Sequence, residues 1–200
     1  MWSHTFRYHR RALSSLKKGA LHLNFNVTSQ CEMEHLGTCI GQRLRANDVI
    51  LLYGDLGCGK TCLARGSIRK LTNSDILVPS PSYVLVNSYV TPKSILYHVD
   101  LYRLQQVNLD DAKALGLVDA FRSGIVIIEW PERLFKQTQE KGDQEATKRK
   151  HQSWIPKDHL EVIIRYDTQG GIDCRNVALR AVGTSWEDRL IGLCAVNENK

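Results

Sequence analysis

Residues 54–61 read Gly-Asp-Leu-Gly-Cys-Gly-Lys-Thr and directly follow the apolar run Val49–Tyr53. They fit the pattern G-x-x-x-x-G-K-[ST], placed between a predicted strand and a predicted helix. In such a loop the glycines let the backbone bend around phosphate groups, so that successive N–H groups bind them. Lys60 would reach the β- and γ-phosphates, and the Thr61 hydroxyl would be a ligand of Mg²⁺. The pattern therefore predicts a nucleoside triphosphate site rather than an ordinary glycine turn.

Three later segments also carry residues that are capable of chemistry. Residues 80–83 (Ser-Pro-Ser-Tyr) present two hydroxyls on a rigid turn, and residues 98–103 (His-Val-Asp-Leu-Tyr-Arg) follow a predicted strand. Residues 128–133 (Ile-Glu-Trp-Pro-Glu-Arg) place the Glu129 carboxylate at the end of the most apolar strand. Because ligands bind at the carboxyl ends of strands in open α/β sheets, Glu129 is expected to be directed at Mg²⁺. Taken alone, each segment is equally consistent with strand-end polar residues and surface ion pairs.

In this order, the segments closely resemble the TsaE family, the small bacterial-type ATPases of tRNA threonylcarbamoyladenosine synthesis. The matching motifs are G-D-L-G-x-G-K-T, S-P-[ST]-[YF]-x-L-V-N-x-Y, Y-H-x-D-L-Y-R-L and I-E-W-P-E-R. The resemblance extends from about Ser29 to about Leu190 and includes the late segment 155–162. A phosphate loop is common to many families, whereas the last two motifs in this order are far more specific.

The resemblance implies a Mg²⁺-dependent ATPase and assigns roles to residues of this sequence. Lys60, Asp100 and Glu129 would be catalytic, with Asp100 orienting the attacking water, while Thr61 and Glu129 would organise Mg²⁺. The turn at 80–83 would sense the γ-phosphate. The residues around ATP would be Gly54, Asp55, Leu56, Gly57, Cys58, Gly59, Lys60, Thr61, Ser80, Ser82 and Trp130.

The resemblance also implies partners. In the family the ATPase works with TsaB and TsaD, and TsaD transfers the threonylcarbamoyl group to the adenosine beside the anticodon. ATP hydrolysis by the third protein resets the complex between turnovers. This chain would therefore bind TsaB- and TsaD-like proteins, meet tRNA indirectly through the complex, and not perform the transfer itself.

The sequence departs from the family pattern at a few positions. Cys58 stands where a small alanine is usual, and a thiol beside the phosphates would make the site sensitive to oxidation. Ser82 replaces the usual threonine and keeps the hydroxyl. The polar stretch at about 134–153 is longer than the usual connection, and a basic N-terminal segment is extra.

Two other functions remain open for these residues. A small-molecule kinase needs an acceptor pocket and usually an Arg-rich lid; Arg103 and Arg133 are available, although no lid segment stands out. A nucleotide-dependent scaffold would switch conformation without turnover, but the retention of Lys60, Asp100 and Glu129 argues against it. A GTPase would need the guanine-reading tetrapeptide N-K-x-D, which does not occur in the sequence.

Composition favours one globular domain, since the 200 residues are 42% hydrophobic and 24% charged. The net charge of +6 comes from the N-terminus, because five basic residues and no acid precede Glu32. From Glu32 onward 22 basic residues face 21 acidic ones, so charge alone does not indicate nucleic-acid binding. No apolar run approaches the roughly 18 residues that a membrane span needs, so we expect no membrane contact. Six cysteines without a C-x-x-C pair indicate reduced thiols in the cytoplasm.

The predicted organisation has three parts: a basic extension (1–28), an ATPase domain (29–192) with the insertion at about 134–153, and a tail (193–200). Residues 1–23 lack the apolar core of a secretory signal. They are interpreted either as a transit peptide, which would place the protein in an organelle matrix, or as a plain extension of a cytoplasmic protein.

The elements that must position these residues alternate between helices and strands. A capping box, Ser29 with Glu32, opens an amphipathic helix whose apolar stripe ends at Leu44, before a break at Asn47. The remaining predictions are strands at 49–53, 83–90, 95–99 and 124–128, helices at about 60–71 and 109–115, and an antiparallel pair at 159–166 and 176–182. The predicted fold is α/β, a single P-loop NTPase-like domain whose parallel sheet core is flanked by antiparallel strands and helices.

Overall fold

A computed structural model describes residues 21–138, 148–150 and 153–195 of the chain. The strands in these ranges are β1 (His22–Val27), β2 (Val49–Tyr53), β3 (Val86–Val90), β4 (Ile95–Asp100), β5 (Ile125–Glu129), β6 (Lys136–Thr138), β7 (Lys148–Lys150), β8 (His159–Tyr166) and β9 (Arg175–Val182). The α-helices are α1 (Gln30–Gly41), α2 (Lys60–Thr72), α3 (Leu109–Ala114), α4 (Leu117–Ser123) and α5 (Glu187–Ala195), and a 3₁₀ turn covers Pro131–Leu134.

Seven of these strands form one sheet in the order β1-β9-β8-β2-β5-β4-β3. The central strands β8, β2, β5 and β4 run parallel, whereas β3 pairs antiparallel at one edge and β9 and β1 pair antiparallel at the other. This arrangement confirms the predicted parallel core with antiparallel flanks. Strands β6 and β7 form a separate hairpin.

The two central strands β2 and β5 are buried along their whole length because both faces of the sheet are covered. The side chains of successive residues in a strand point to opposite faces of the sheet. Leu52 and Ile127 belong to the core formed with α1 and α2, while Leu51 and Ile128 belong to the core formed with α3 and α4. Because β2, β4 and β5 run parallel, their carboxyl ends meet at the same end of the sheet, next to the start of α2.

Most predicted elements occur, with differences at their ends. Ser29 caps α1 by accepting a hydrogen bond from the Glu32 N–H at 3.2 Å, but the Glu32 carboxylate accepts from the Thr28 N–H at 2.7 Å, so half of the predicted capping box forms. The predicted strand 83–90 begins only at Val86, because residues 82–85 turn and Leu85 adopts a φ of +66°.

Strand β1 and helices α4 and α5 are elements that the sequence pattern did not predict. β1 lies within the stretch 1–28, and β6 and β7 lie within the stretch 134–153. Residues 1–20 and 139–147, which hold the rest of the predicted extension and most of the predicted insertion, lie outside the described residues. Among the residues that are described, no helix combines the length and the apolar character that crossing a membrane requires.

Helix α5 is fastened to the sheet by a buried ion pair. The Arg189 guanidinium donates to both Asp48 carboxylate oxygens, at 2.5 and 2.9 Å, and it also lies 4.0 Å from the centroid of the Trp186 ring. Both charged side chains are less than a tenth exposed. Asp48 directly precedes β2, so this contact joins the end of the described chain to the strand that leads into the glycine-rich loop.

Candidate functional site

The glycine-rich loop occupies residues 54–59, between β2 and α2. Gly54 and Gly59 adopt φ values of +147° and +109°, which L residues with a side chain rarely adopt. A Cβ atom at Gly54 would also lie only 2.5 Å from the Ile164 carbonyl oxygen. Because α2 begins at Lys60, its positive N-terminal end points at the same loop. The loop therefore has a conformation that requires glycine at both positions.

Lys60 lies inside this loop and is almost completely buried, with 4% of its surface exposed. Its ammonium group donates to the carbonyl oxygens of Gly54 and Asp55, at 2.7 and 2.8 Å. The Trp130 ring covers the same ammonium group, with its centroid 4.0 Å away, and Tyr102 lies beside Trp130 with ring centroids 5.0 Å apart. The ammonium group is thus held between two carbonyl oxygens of the loop and the Trp130 ring.

Thr61 and Glu129 meet at the carboxyl edge of the sheet. The Thr61 hydroxyl donates to the Glu129 carboxylate, with Oγ1 2.8 and 3.0 Å from the two carboxylate oxygens. Glu129 is 3% exposed and pairs with Leu52 of the adjacent parallel strand. A hydroxyl and a carboxylate in contact are oxygen donors of the kind that Mg²⁺ prefers, so the pair fits this cation.

His98 begins the segment 98–103, which the sequence marks as capable of chemistry, but the sequence alone assigns His98 no role. Its ring is completely buried, and Nε2 lies 2.9 Å from Glu129 Oε1 and donates to it. Nδ1 of His98 has no hydrogen-bond partner within the described part of the chain. The sequence signal that could have placed His98 near the site is its two-residue spacing from Asp100, since residues i and i+2 of a strand lie on the same face of the sheet.

Asp100 ends β4 and pairs in register with Glu129 of β5. Its Oδ2 accepts a hydrogen bond from the Ser80 hydroxyl at 2.7 Å, and its Oδ1 accepts one from the Tyr102 N–H at 2.9 Å. Only 3% of Asp100 is exposed. The Ser80 contact joins the turn before β3 to the carboxylates at the sheet edge.

The structure thus brings together six of the predicted site residues: Lys60, Thr61, Ser80, Asp100, Glu129 and Trp130. The loop residues Asp55, Leu56 and Gly57 are exposed at its tip. Ser82 is half-buried in the neighbouring turn and, within the described residues, makes no hydrogen bond to this group.

The Cys58 thiol is 1% exposed, which disagrees with the expectation of an oxidation-sensitive site. Burial raises the pKa of Cys58 above its usual value, and the nearby Lys60 charge only partly opposes this effect. Because the thiolate is the reactive form, a buried thiol with a raised pKa is protected from oxidation. Cys58 therefore behaves as a small packing residue under the loop.

Taken together, the glycine-rich loop, the helix that follows it and the acidic residue on the adjacent parallel strand define a protein of P-loop NTPase-like fold. Residues 27–163 match the family model described as "Threonylcarbamoyl adenosine biosynthesis protein TsaE". The chain belongs to this family, which is involved in tRNA threonylcarbamoyladenosine biosynthesis.

Individual relatives agree with this assignment, and each is named as the tRNA threonylcarbamoyladenosine biosynthesis protein TsaE. The protein of Rickettsia prowazekii is 34% identical over 106 residues, or 53% of this chain and 72% of the relative. That of Nostoc is 41% identical over 105 residues, covering 50% and 62% of the two chains. That of Bacillus subtilis is 29% identical over 144 residues, covering 72% and 75%.

The crystal structure of Bacillus subtilis YdiB resembles this chain in its fold. The two chains superpose with a TM-score of 0.65 and a sequence identity of 22%. The superposition covers 90% of this chain and 98% of YdiB. This similarity supports the fold alone.

Proposed function

We propose that the protein is a Mg²⁺-dependent ATPase that supports tRNA threonylcarbamoyladenosine modification by binding a TsaB–TsaD transferase complex and resetting it through ATP hydrolysis. The observation that carries this proposal is the contact between Thr61 and Glu129 beside the buried Lys60. It joins the helix after the phosphate loop to a carboxylate on the adjacent strand. A cation between the β- and γ-phosphates needs ligands at this place.

In this proposal each site residue has a separate role in phosphoryl transfer. The loop N–H groups and Lys60 would bind the phosphates, and Thr61 with Glu129 would hold Mg²⁺, which would supply positive charge against the transferred group. Asp100 orients the attacking water. Each Asp100 oxygen already accepts one hydrogen bond, from Ser80 and from the Tyr102 N–H, and each keeps a second lone pair that would accept a hydrogen bond from the water.

Exposed apolar side chains around the site support the proposed partners. Leu56, Tyr83 and Val84 are 66%, 82% and 64% exposed, and Tyr102 at the same edge is 40% exposed. The Arg103 guanidinium lies 4.0 Å from the Tyr83 ring centroid and leaves most of this ring in water. Large apolar side chains exposed to water are common at protein interfaces. We therefore place TsaB- and TsaD-like proteins over this rim, with tRNA contacted only through them.

The test is phosphate release from ATP, measured for the chain alone and with the matching TsaB–TsaD pair, each with Mg²⁺ and with EDTA. We expect little release from the chain alone, a clear rise with the partners, and none in EDTA or with a Lys60→Ala variant. Equal rates with and without the partners would contradict the resetting role. Phosphate transfer only to an added small acceptor would establish a kinase, and tight ATP binding without any turnover would establish a scaffold.

Replacing His98 is expected to raise the Mg²⁺ concentration for half-maximal ATPase activity by about 10- to 100-fold, the usual effect of losing a group that orients a metal ligand. His98→Leu removes the hydrogen bond to Glu129, whereas His98→Gln keeps an N–H donor and should recover part of the loss. The measurement is activity against Mg²⁺ concentration at saturating ATP, with KM for ATP determined separately.

The His98 variants must first melt like the wild-type protein, because this ring is buried. A half-maximal Mg²⁺ concentration that stays within twofold of wild type in His98→Leu would show that the ring only fills space. An equal loss in Leu and Gln would show that packing, and not the hydrogen bond, sets the position of Glu129.

A further inference from the structure

Tyr166 and Arg175 stack on each other next to the glycine-rich loop. Tyr166 ends β8, and its hydroxyl donates to the Leu56 carbonyl oxygen at the tip of the loop, at 2.8 Å. Arg175 begins β9, pairs in register with Tyr166, and places its guanidinium 4.2 Å from the centroid of the Tyr166 ring. The ring nevertheless remains 43% exposed. We call these two side chains the tyrosine–arginine platform.

The position of the proposed metal ligands fixes the direction in which a nucleotide crosses the loop. Thr61 and Glu129 mark the end that holds Mg²⁺ and the γ-phosphate, and Glu129 belongs to β5, on one side of β2. Strand β8 lies on the other side of β2. Because the γ-phosphate and the nucleoside are at opposite ends of the triphosphate chain, an extended nucleotide with its γ-phosphate beside β5 has its nucleoside on the side of β8. That direction leads to the tyrosine–arginine platform.

The start of α1 lies beside the platform. Val27 ends β1 and pairs in register with Arg175, so the start of α1, capped by Ser29, lies at the same edge of the sheet. The Gln30 carbonyl oxygen at this start accepts a hydrogen bond from the Cys62 thiol of α2, with the sulfur 3.3 Å away. The start of α1 and the platform therefore both border the loop on the side away from Glu129.

We propose that the tyrosine–arginine platform binds the nucleobase of the nucleoside triphosphate by stacking. The inference rests on the proposed function, since it needs ATP in the phosphate loop. Aromatic rings and guanidinium planes are the groups on which bases stack, and removal of one such ring typically weakens binding by about 10- to 100-fold. Both residues lie outside the four motifs and beyond residue 163, where the match to the family model ends.

A competing role for Tyr166 is that of a loop anchor, through its hydrogen bond to Leu56. The two roles differ in the ligand that they affect. An anchor shapes the phosphate site and so acts equally on ATP and on inorganic tripolyphosphate, which has no base. A stacking platform acts on ATP alone.

The experiment is calorimetric titration of the full chain with ATP and with tripolyphosphate. Tyr166→Leu removes the ring and the hydroxyl, Tyr166→Phe removes only the hydroxyl, and Arg175→Gln removes the guanidinium plane. We expect Tyr166→Leu to weaken ATP binding about 10- to 100-fold more than tripolyphosphate binding. Tyr166→Phe should change both affinities by the same factor, and Arg175→Gln should reduce the preference for ATP in the direction of the Leu variant.

A Tyr166→Leu variant that weakens both ligands equally would overturn the platform and leave Tyr166 as a loop anchor. An unchanged ratio of the two affinities in both Tyr166→Leu and Arg175→Gln would overturn it as well. Failure of the proposed function looks different, because the wild-type chain would then bind ATP without releasing phosphate even in the presence of the TsaB–TsaD pair. A wild-type chain that binds neither ligand would overturn both proposals.

Discussion

Replacing Asp100 by asparagine is expected to lower the turnover number for ATP by at least about 100-fold, the range for losing a group that positions or deprotonates the nucleophile. The dissociation constant for ATP should stay within about threefold of the wild-type value, since Asp100 lies outside the loop that binds phosphates. The change removes a charge and keeps the shape of the side chain. The measurement pairs single-turnover phosphate release in the presence of the TsaB–TsaD pair with calorimetric titration of ATP.

The hydrogen bonds of Asp100 make asparagine a well-matched replacement. The amide oxygen can still accept from the Tyr102 N–H, and the amide nitrogen can donate to the Ser80 hydroxyl, which then acts as acceptor. The fold at the end of β4 should therefore persist. Ser80→Ala provides the control, because it removes the contact to Asp100 and leaves the carboxylate in place. Turnover in Asp100→Asn within threefold of wild type would contradict the catalytic role of this residue.

The sequence pattern predicts the central part of the fold well because the physical signal there is local. Residues 49–53 and 125–128 are continuous apolar runs, which are typical of strands buried on both faces of a sheet. β1 carries a weaker signal, since as an edge strand it buries only Phe25 and Val27. The short helix α4 begins after Gly116, whose φ is +72°, and its seven residues cannot display a helical period.

Some residues of the candidate site can be placed from the local sequence pattern, whereas others depend on the pairing of distant strands. Lys60 and Thr61 are fixed relative to the loop by their positions in it, so the pattern alone places them. The pairing of Asp100 with Glu129 depends on the register of two parallel strands, which no local signal specifies. The same register brings His98 to Glu129, and this explains why the contact of His98 with Glu129 follows only from the structure.

Removing one partner of the buried Asp48–Arg189 pair is expected to lower the free energy of unfolding by about 3–5 kcal/mol, a large share of the stability of one domain. Asp48→Ala leaves the Arg189 guanidinium without its bidentate acceptor in a place where both side chains are less than a tenth exposed. The cost arises mainly from the buried charge that remains, not from the lost attraction. Urea unfolding of the full chain, followed by circular dichroism, measures this change.

The chain offers a matched control in Asp119 and Arg122 of α4, an ion pair of 4.0 Å whose side chains are 88% and 77% exposed. Asp119→Ala should cost at most about 1 kcal/mol, because water solvates both groups of a surface pair. The double variant Asp48→Ala with Arg189→Ala should lose clearly less than the sum of the two single losses, since it leaves no unpaired charge. Additive losses would show that the two residues act separately. A cost for Asp48→Ala as small as that for Asp119→Ala would show that water reaches Arg189 and that α5 does not close over the start of β2.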